Sequence, residues 1–240
     1  MMIDCDVTAS AQACNGSTAF LGYFTPISRG VLFEHMFSYD MFMARTTGSH
    51  SQTTGPRVRS VAEALFAKHG FAAVSMRQIA AEVGVQAGAL YNYTPDKQSL
   101  LFSMMHDHMV ELIAAWDGVG VSDDPIHAMS DFTRFHIDYH LARRDAVFIA
   151  YMELRNLSTE NFRIIEDLRK SYETRLERII EHGVDRGVFD VPDSRIATLA
   201  IIGMLTEVTT WFRHGGRLDA DAVTDLYTTL VLRALNALRD

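Results

Sequence analysis

From Pro56 to the C-terminus the apolar positions recur at three- and four-residue steps, the period of helices that bury one face. Val58, Val61, Ala62, Leu65 and Phe66 share a face, and Gly70 follows the last turn, so a helix is predicted over Arg57–His69. Ser75 is placed to N-cap Met76–Val83, with Gln78 three positions on to complete a capping box. Gly84 permits a tight turn, and a short helix is predicted over Ala87–Tyr93. Pro95 takes a first-turn position of a long helix from about Asp96 to Trp116. Five more helices are expected near 125–142, 145–156, 159–188, 193–213 and 219–239. In the third of these Phe162, Ile165, Leu168, Tyr172, Leu176 and Ile179 mark the inner face. Ile196 to Phe212 is apolar around much of its girth, which predicts burial on several sides. The fold expected is all-α.

Residues 1–42 break this pattern. Gly, Ser, Thr and Asn mix with isolated aromatics (Phe20, Phe24, Phe33, Phe37, Phe42) without a sustained period. Met43 opens a weakly basic, polar run and is read as the biological start, with residues 1–42 an extension wrongly joined to it. Residues 1–55 are accordingly read as an N-terminal extension, disordered or upstream of the start. Residues 56–102 are read as one domain and 103–240 as a second, larger one.

Composition narrows the function. Cys5 and Cys14 both lie in the atypical N-terminal stretch and suggest neither a disulfide framework nor a zinc site. No apolar run is long enough for a bilayer, so a cytoplasmic protein without a membrane partner is expected. The net charge of −8 argues against nucleic acid only until its distribution is considered. Between 56 and 100, five basic residues (Arg57, Arg59, Lys68, Arg77, Lys97) face three acidic ones, whereas both flanking segments are net acidic.

The one net-positive segment also carries the geometry of a helix-turn-helix. Ile79, Ala80, Val83, Val85 and Leu90 supply a small wedge core, Ala80 permits close helix approach, and Gly84 frees the turn. The second helix can then enter a major groove. Gly88 and Ala89 are small enough to let backbone approach DNA, and Tyr91, Tyr93 and Lys97 offer donors to phosphate. Arg57 and Arg59 can extend contact to phosphate or the minor groove. No nucleophile elbow, phosphate loop or paired-carboxylate motif appears, so an enzyme has little support. His136 and His140 have a spacing that can hold a metal on a helix, but no further ligand is placed beside them, and neither metal nor cofactor is expected.

The run Ile79-Ala80, Val83-Gly84-Val85, Gly88-Ala89-Leu90-Tyr91-Asn92-Tyr93, Asp96-Lys97 and Leu100-Leu101 closely resembles the DNA-binding domain of the TetR family. The resemblance implies a three-helix N-terminal domain, a larger helical ligand-binding domain, and a homodimer built mainly by the last two helices on double-stranded operator DNA. It carries DNA-facing roles onto Arg77, Gln86, Ala87, Ala89, Tyr91, Asn92, Tyr93 and Lys97, with Gln86 and Arg77 the leading base readers, and Ser75 and Gly88 are expected to bind DNA beside them. Departures fall at Gln86, where Ser or Thr is usual, at Ala87, where a basic or polar residue is frequent, and at Thr94, where Phe is usual. With alanine at 87, readout there rests on apolar contact with a thymine methyl or is absent.

Three later stretches, Phe148 to Ser158, Gly203 to Leu205 and Trp211 to Leu218, resemble TetR-type repressors of fatty-acid and steroid catabolism. That resemblance implies a small-molecule inducer, an acyl-CoA thioester, with Arg155, Arg213 or Arg217 on its phosphates and Trp211 at the pocket. Glu207 stands where that group often has a bulky residue. The rival readings are a drug-sensing efflux regulator and a helical enzyme that uses acyl-CoA or a metal.

Overall fold

The computed structural model describes residues 51–237, so the readings made for residues 1–50 lie outside the described residues. All regular structure there is helical: α1 (Ser51–His69), α2 (Met76–Val83), α3 (Ala87–Leu90), α4 (Lys97–Asp117), α5 (Pro125–Leu141), α6 (Arg144–Met152), a 3-10 turn (Leu154–Asn156), α7 (Thr159–Asp185), α8 (Ser194–Trp211) and α9 (Ala220–Ala234). The caps explain most starts. Ser75, Asp96, Asp124, Ser158, Asp193 and Asp219 each accept a backbone N–H of the first turn with their side-chain oxygen.

Several boundaries differ from those expected: the helices placed at 145–156 and 219–239 end at Met152 and Ala234, and Pro95 precedes the Asp96 cap rather than standing in the first turn of α4. α1 begins six residues before Arg57 and runs through Pro56. Proline there lies in the second turn, so its missing N–H removes a single intrahelical bond from a 19-residue helix. α3 is only four residues long, and Tyr91–Tyr93 continue as a tightened turn in which Tyr93 N–H donates to the Leu90 carbonyl at 2.8 Å.

Two apolar cores form. The first gathers Val58, Ala62 and Phe66 of α1, Phe71 and Val74 of the following loop, Ile79, Ala80 and Val83 of α2, Leu90, and Leu100, Leu101, Met104 and Met105 of α4. Ile149 of α6 and Ile165 of α7 close it. The second gathers Met109, Leu112 and Trp116 of α4 with buried faces of α5, α7, α8 and α9. α4 is thus one uninterrupted helix carrying successive turns into both cores. A bidentate pair, Arg175 Nε and Nη2 to Asp117 at 2.6 and 2.7 Å, fastens α7 to its far end. α8 buries Thr198, Ile201, Ile202, Leu205 and Val208, yet within one chain Ile196, Leu199, Gly203 and Trp211 remain exposed. Burial on several sides does not hold for the single chain.

The second core is partly polar. His136 and His140 of α5 are fully buried, their rings stacked at 3.8 Å and 11°. His136 Nδ1 meets the Tyr172 hydroxyl and its Nε2 meets Thr206 Oγ1, both at 3.1 Å. His108 of α4 is buried beside them. Burial pushes the His108 imidazole down to about 4 and the His136 imidazole down to about 3, helped in each case by a neighbouring positive group. His140 is held well below its ordinary value, first by burial and then by its histidine neighbours.

Each of these imidazoles titrates near 6.5 once unfolded, so as pH falls below that value the unfolded chain takes up protons before the folded one. The stability is complete above about 6.5 and is lost progressively down to about 4 for His108 and about 3 for His136. Denaturant unfolding at pH 7, 6 and 5 should show the free energy falling by up to about 1.4 kcal/mol per pH unit for each histidine. His108→Leu should flatten the slope, and a slope unchanged in that variant refutes the assignment.

Candidate nucleic-acid interface and effector domain

The helix-turn-helix is fixed by interactions that use few of the polar side chains facing outward. Ser75 Oγ accepts from the Gln78 N–H, and the Gln78 side chain accepts from Ser75 N–H at 2.7 Å, so the capping box is present. Gly84 caps α2 at φ 77°, a left-handed conformation, and Val85 N–H returns to the Ala80 carbonyl at 2.9 Å. Leu90, wholly buried, pins α3 to the first core.

With these anchors in place, Arg77, Gln86, Gly88, Tyr91 and Asn92 are exposed, and Ala87, Ala89 and Tyr93 are half-buried. Gln86 is the N-terminal flank of α3 but makes no side-chain cap bond, so its amide is uncommitted to the helix. Tyr91 is 57% exposed. A Cβ added at Gly88 would meet nothing within 4 Å. The protein's own packing therefore sets no limit on side-chain size at 88.

Three sequence-expected contacts have other partners. Lys97 Nζ donates to the carbonyls of Phe71 and Val74, both at 2.8 Å, and lies 4.1 Å above the Phe71 ring. Its pKa is lowered, chiefly by desolvation. Arg59 reaches Asp107 at 2.5 Å and the Ser103 carbonyl at 3.4 Å, tying α1 to α4. Ser75 is spent on its cap, whereas Arg57 is exposed at the start of the amphipathic part of α1. Thr94, the departure from the usual Phe, is buried and donates to the Asp96 carbonyl at 2.9 Å.

Sequence reasoning missed a junction between the cores. Glu153, just past α6, is 6% exposed. Its Oε1 accepts from the Phe71 N–H at 3.1 Å, and its Oε2 accepts from Asn156 Nδ2. Gln98 of α4 adds bonds to the Asn156 carbonyl and from the Ser158 N–H. Glu153 and Lys97 thus hold the N–H and C=O sides of one loop, that between α1 and α2. The only signal in the sequence was a carboxylate following the apolar run Val147–Met152.

The four residues expected to bind ligand do not assemble into one site. Arg155 is exposed on the 3-10 turn, whose neighbours Leu154 and Leu157 pack on the first core. Trp211 ends α8, half-exposed and stacked on Tyr227 of α9 at 6.1 Å and 23°. Arg213 caps the end of α8 through the Thr210 and Phe212 carbonyls at 2.9 and 2.8 Å, and Arg217 is exposed beyond it. His136 and His140 stack rather than converge, with His140 Nδ1 on the His136 carbonyl. Among the described residues no group of three or more His, Cys, Asp or Glu side chains is placed to hold a metal, and no helix is long and apolar enough to cross a membrane.

Residues 58–104 match the family model "Bacterial regulatory proteins, tetR family", and residues 122–235 match "Tetracyclin repressor-like, C-terminal domain". The chain belongs to the TetR family. As a TetR-family protein it is a helix-turn-helix transcriptional regulator. It is 28% identical over 199 residues to the HTH-type transcriptional repressor KstR2 of Mycobacterium tuberculosis, covering 79% of this chain and 96% of that one. A solved regulatory protein of the tetR family from Rhodococcus RHA1 superposes with a TM-score of 0.73 at 29% identity, over 81% of this chain and 100% of that one. AibR, solved in complex with isovaleryl coenzyme A and operator DNA, shares the fold at a TM-score of 0.64 and 23% identity, over 72% and 97% of the two chains.

For this TetR-family regulator Glu153 gives a local test. Glu153→Ala leaves a buried N–H without its acceptor and should cost about 2 kcal/mol. Glu153→Gln retains an acceptor oxygen and should cost less. Thermal unfolding of the two variants checks the order, and equal, negligible losses would show that the junction bears no load.

Proposed function

We propose that the protein is a homodimeric repressor that leaves its operator on binding an acyl-CoA. The observation that carries the DNA half is a helix pair, the first capped at both ends and the second anchored by buried Leu90, presenting Arg77, Gln86, Tyr91 and Asn92 to solvent. Gln86 and Arg77 read base edges in this proposal, Tyr91 and Tyr93 position the helix on phosphate, and Ala87, Gly88 and Ala89 allow close approach. Arg57 adds a phosphate contact, with Arg59 and Lys97 acting first as internal braces of the reading head. The domain division proposed is a reading head at 56–102 and an effector and dimer domain at 103–240.

The exposed apolar residues Ile196 and Leu199 of α8, and Leu226 and Leu230 of α9, are 43–62% exposed. Four large aliphatic side chains on two adjacent helices favour a second copy of the same surface, an isologous arrangement. The two heads then meet successive major grooves about 34–36 Å apart, or at a comparable groove spacing. The acyl-CoA half of the reading is supported by one likeness, AibR, which was solved with isovaleryl coenzyme A and operator DNA, and the repressor half by the likeness to the transcriptional repressor KstR2. Arg155 and Arg217 are exposed cations available to phosphates, whereas Arg213, though exposed, first caps the end of α8.

In operator titrations Tyr91→Phe should weaken binding across all sequences, and Arg57→Ala should weaken it while lowering the salt slope by about 1. Gln86→Ala should relax base preference at one position of each half-site, by about 1–3 kcal/mol of discrimination. Acyl-CoAs, but not free CoA or a panel of hydrophobic drugs, should release the operator in the same assay. Release by drugs alone supports the efflux-sensing alternative.

Leu199→Glu combined with Leu226→Glu should convert the dimer to a monomer in sedimentation and reduce operator affinity at least tenfold. A double variant that remains dimeric with native affinity places the interface elsewhere.

A further inference from the structure

The second core contains a polar island that neither DNA binding nor dimerisation uses. His108 of α4 and Tyr139 and His140 of α5 stand with ring centroids 6.1, 6.2 and 6.1 Å apart, a nearly equilateral triangle. They are 4%, 8% and 0% exposed. Each carries one fully buried polar atom without a hydrogen-bond partner: His108 Nε2, the Tyr139 hydroxyl and His140 Nε2. An unsatisfied buried polar atom costs about 1–3 kcal/mol, so three in one place need a reason. Thr224 Oγ1, on α9, is the remaining such atom among the described residues. His136, stacked on His140, shows that this core can satisfy an imidazole fully, since both its ring nitrogens have partners.

The hydrogen-bond roles can be assigned. His140 Nδ1 lies 2.8 Å from the His136 carbonyl, an oxygen that can only accept, so Nδ1 carries the hydrogen. The ring is neutral at physiological pH, which leaves Nε2 a bare acceptor. The Tyr139 hydroxyl can donate and accept, and neutral His108 can take either tautomer. A ketone or thioester oxygen could take the Tyr139 proton but would leave His140 without a donor. A hydroxyl satisfies both, donating to His140 and accepting from Tyr139. Next to the triangle, the Arg143 guanidinium lies 3.9 Å above the Tyr139 ring and Arg143 is itself exposed, so a surface cation stands one ring away. That suits an apolar ligand with an anionic tail directed outward.

We propose that His108, Tyr139 and His140 are the polar anchor of the effector site and that they recognise a hydroxyl group on an otherwise apolar ligand, a hydroxyacyl thioester or a hydroxysteroid. The proposal rests on the reading of this domain as an effector domain, and it adds that the recognised group is a hydrogen-bond donor. Phe135, its ring 5.5 Å from Tyr139, supplies apolar surface beside the anchor.

The test uses the full-length protein and two shape-matched pairs: 3-hydroxydecanoyl-CoA against decanoyl-CoA, and androsterone against 5α-androstanedione. Calorimetry should show the hydroxylated member of one pair binding at least tenfold tighter, and the pair that discriminates identifies the ligand class. His140→Phe should bring that pair within twofold by weakening the hydroxylated member, and Tyr139→Phe should narrow the difference between the two members. Tyr139→Phe deletes only an unbonded oxygen, so it keeps the test open if His140→Phe fails to fold. If decanoyl-CoA and 3-hydroxydecanoyl-CoA bind alike and release operator alike, and the steroids do not differ, the effector reading stands and the hydroxyl anchor is overturned. If no acyl-CoA acts on the operator but androsterone discriminates, the anchor stands and the acyl-CoA reading falls. Absence of binding by all four probes overturns the anchor. So does a thermal shift with zinc alone that His140→Phe abolishes, since the unpaired nitrogens would then belong to a metal.

Discussion

One helix belongs to two cores, and the rest of the molecule is arranged around that fact. α4 places Leu100, Leu101, Met104 and Met105 among the residues that hold the helix-turn-helix, then Met109, Leu112 and Trp116 among those of the larger domain. A helix is stiff over this length because each turn is hydrogen-bonded to the next. A tilt imposed on its C-terminal half therefore displaces its first turn, where Asp96 caps it and Lys97 grips the α1–α2 loop. Arg59 and Asp107 add a lateral tie from α1 to the middle of the same helix. The reading head is thus clamped onto the end of a rod whose other end is embedded in the effector domain.

That arrangement explains why charged groups in the head serve the interior. The α1–α2 loop has backbone polar groups facing the junction, and these need partners once water is excluded. Lys97 supplies donors for two carbonyls, and Glu153 supplies an acceptor for one N–H. The lysine and carboxylate come from different elements, so the loop is bound by both at once. Removing either leaves backbone groups unpaired, a larger loss than the pair's own attraction represents.

Helix positions were legible because they depend on local chemistry. Ser75 with Gln78, the glycine at 84, and the aspartates before α8 and α9 act within a few residues of themselves, and periodicity marked the buried faces between them. The division of labour among polar side chains depends on distant contacts and could not be seen in the same way. Arg59 looked like a phosphate ligand until Asp107, forty-eight positions away, took its guanidinium. Lys97 carried the family motif, but its ammonium is directed by Phe71 and Val74. The i, i+4 spacing of His136 and His140 was read correctly as one face, yet spacing alone does not distinguish a chelating pair from a stacked one. Stacking follows from the His140 Nδ1 bond to the His136 carbonyl, which turns the second ring onto the first. Pro56 misled in the opposite direction, because a second-turn proline removes too little to stop a helix that the Val58–Phe66 face already stabilises.

α6 offers a second mechanical link, parallel to α4, and its attachments give the coupling a direction. At its start Arg144 donates to the Thr209 carbonyl at 2.8 Å and to the Phe212 carbonyl, so it is fixed to the end of α8. At its other end Glu153 is fixed to the loop of the reading head. Between them Tyr151 faces the His140 ring at 6.3 Å and is covered by Arg169 of α7 at 4.3 Å. An effector that changes the packing around His140 acts on the last turn of a short strut whose two ends are pinned to the proposed dimer helices and to the DNA head. Such coupling requires an effector with different affinities for the two placements of the strut. In the hydroxyl-anchor proposal the neutral, partly unpaired histidine cluster supplies that difference, its hydrogen-bonding capacity a cost in one state and a source of binding energy in the other.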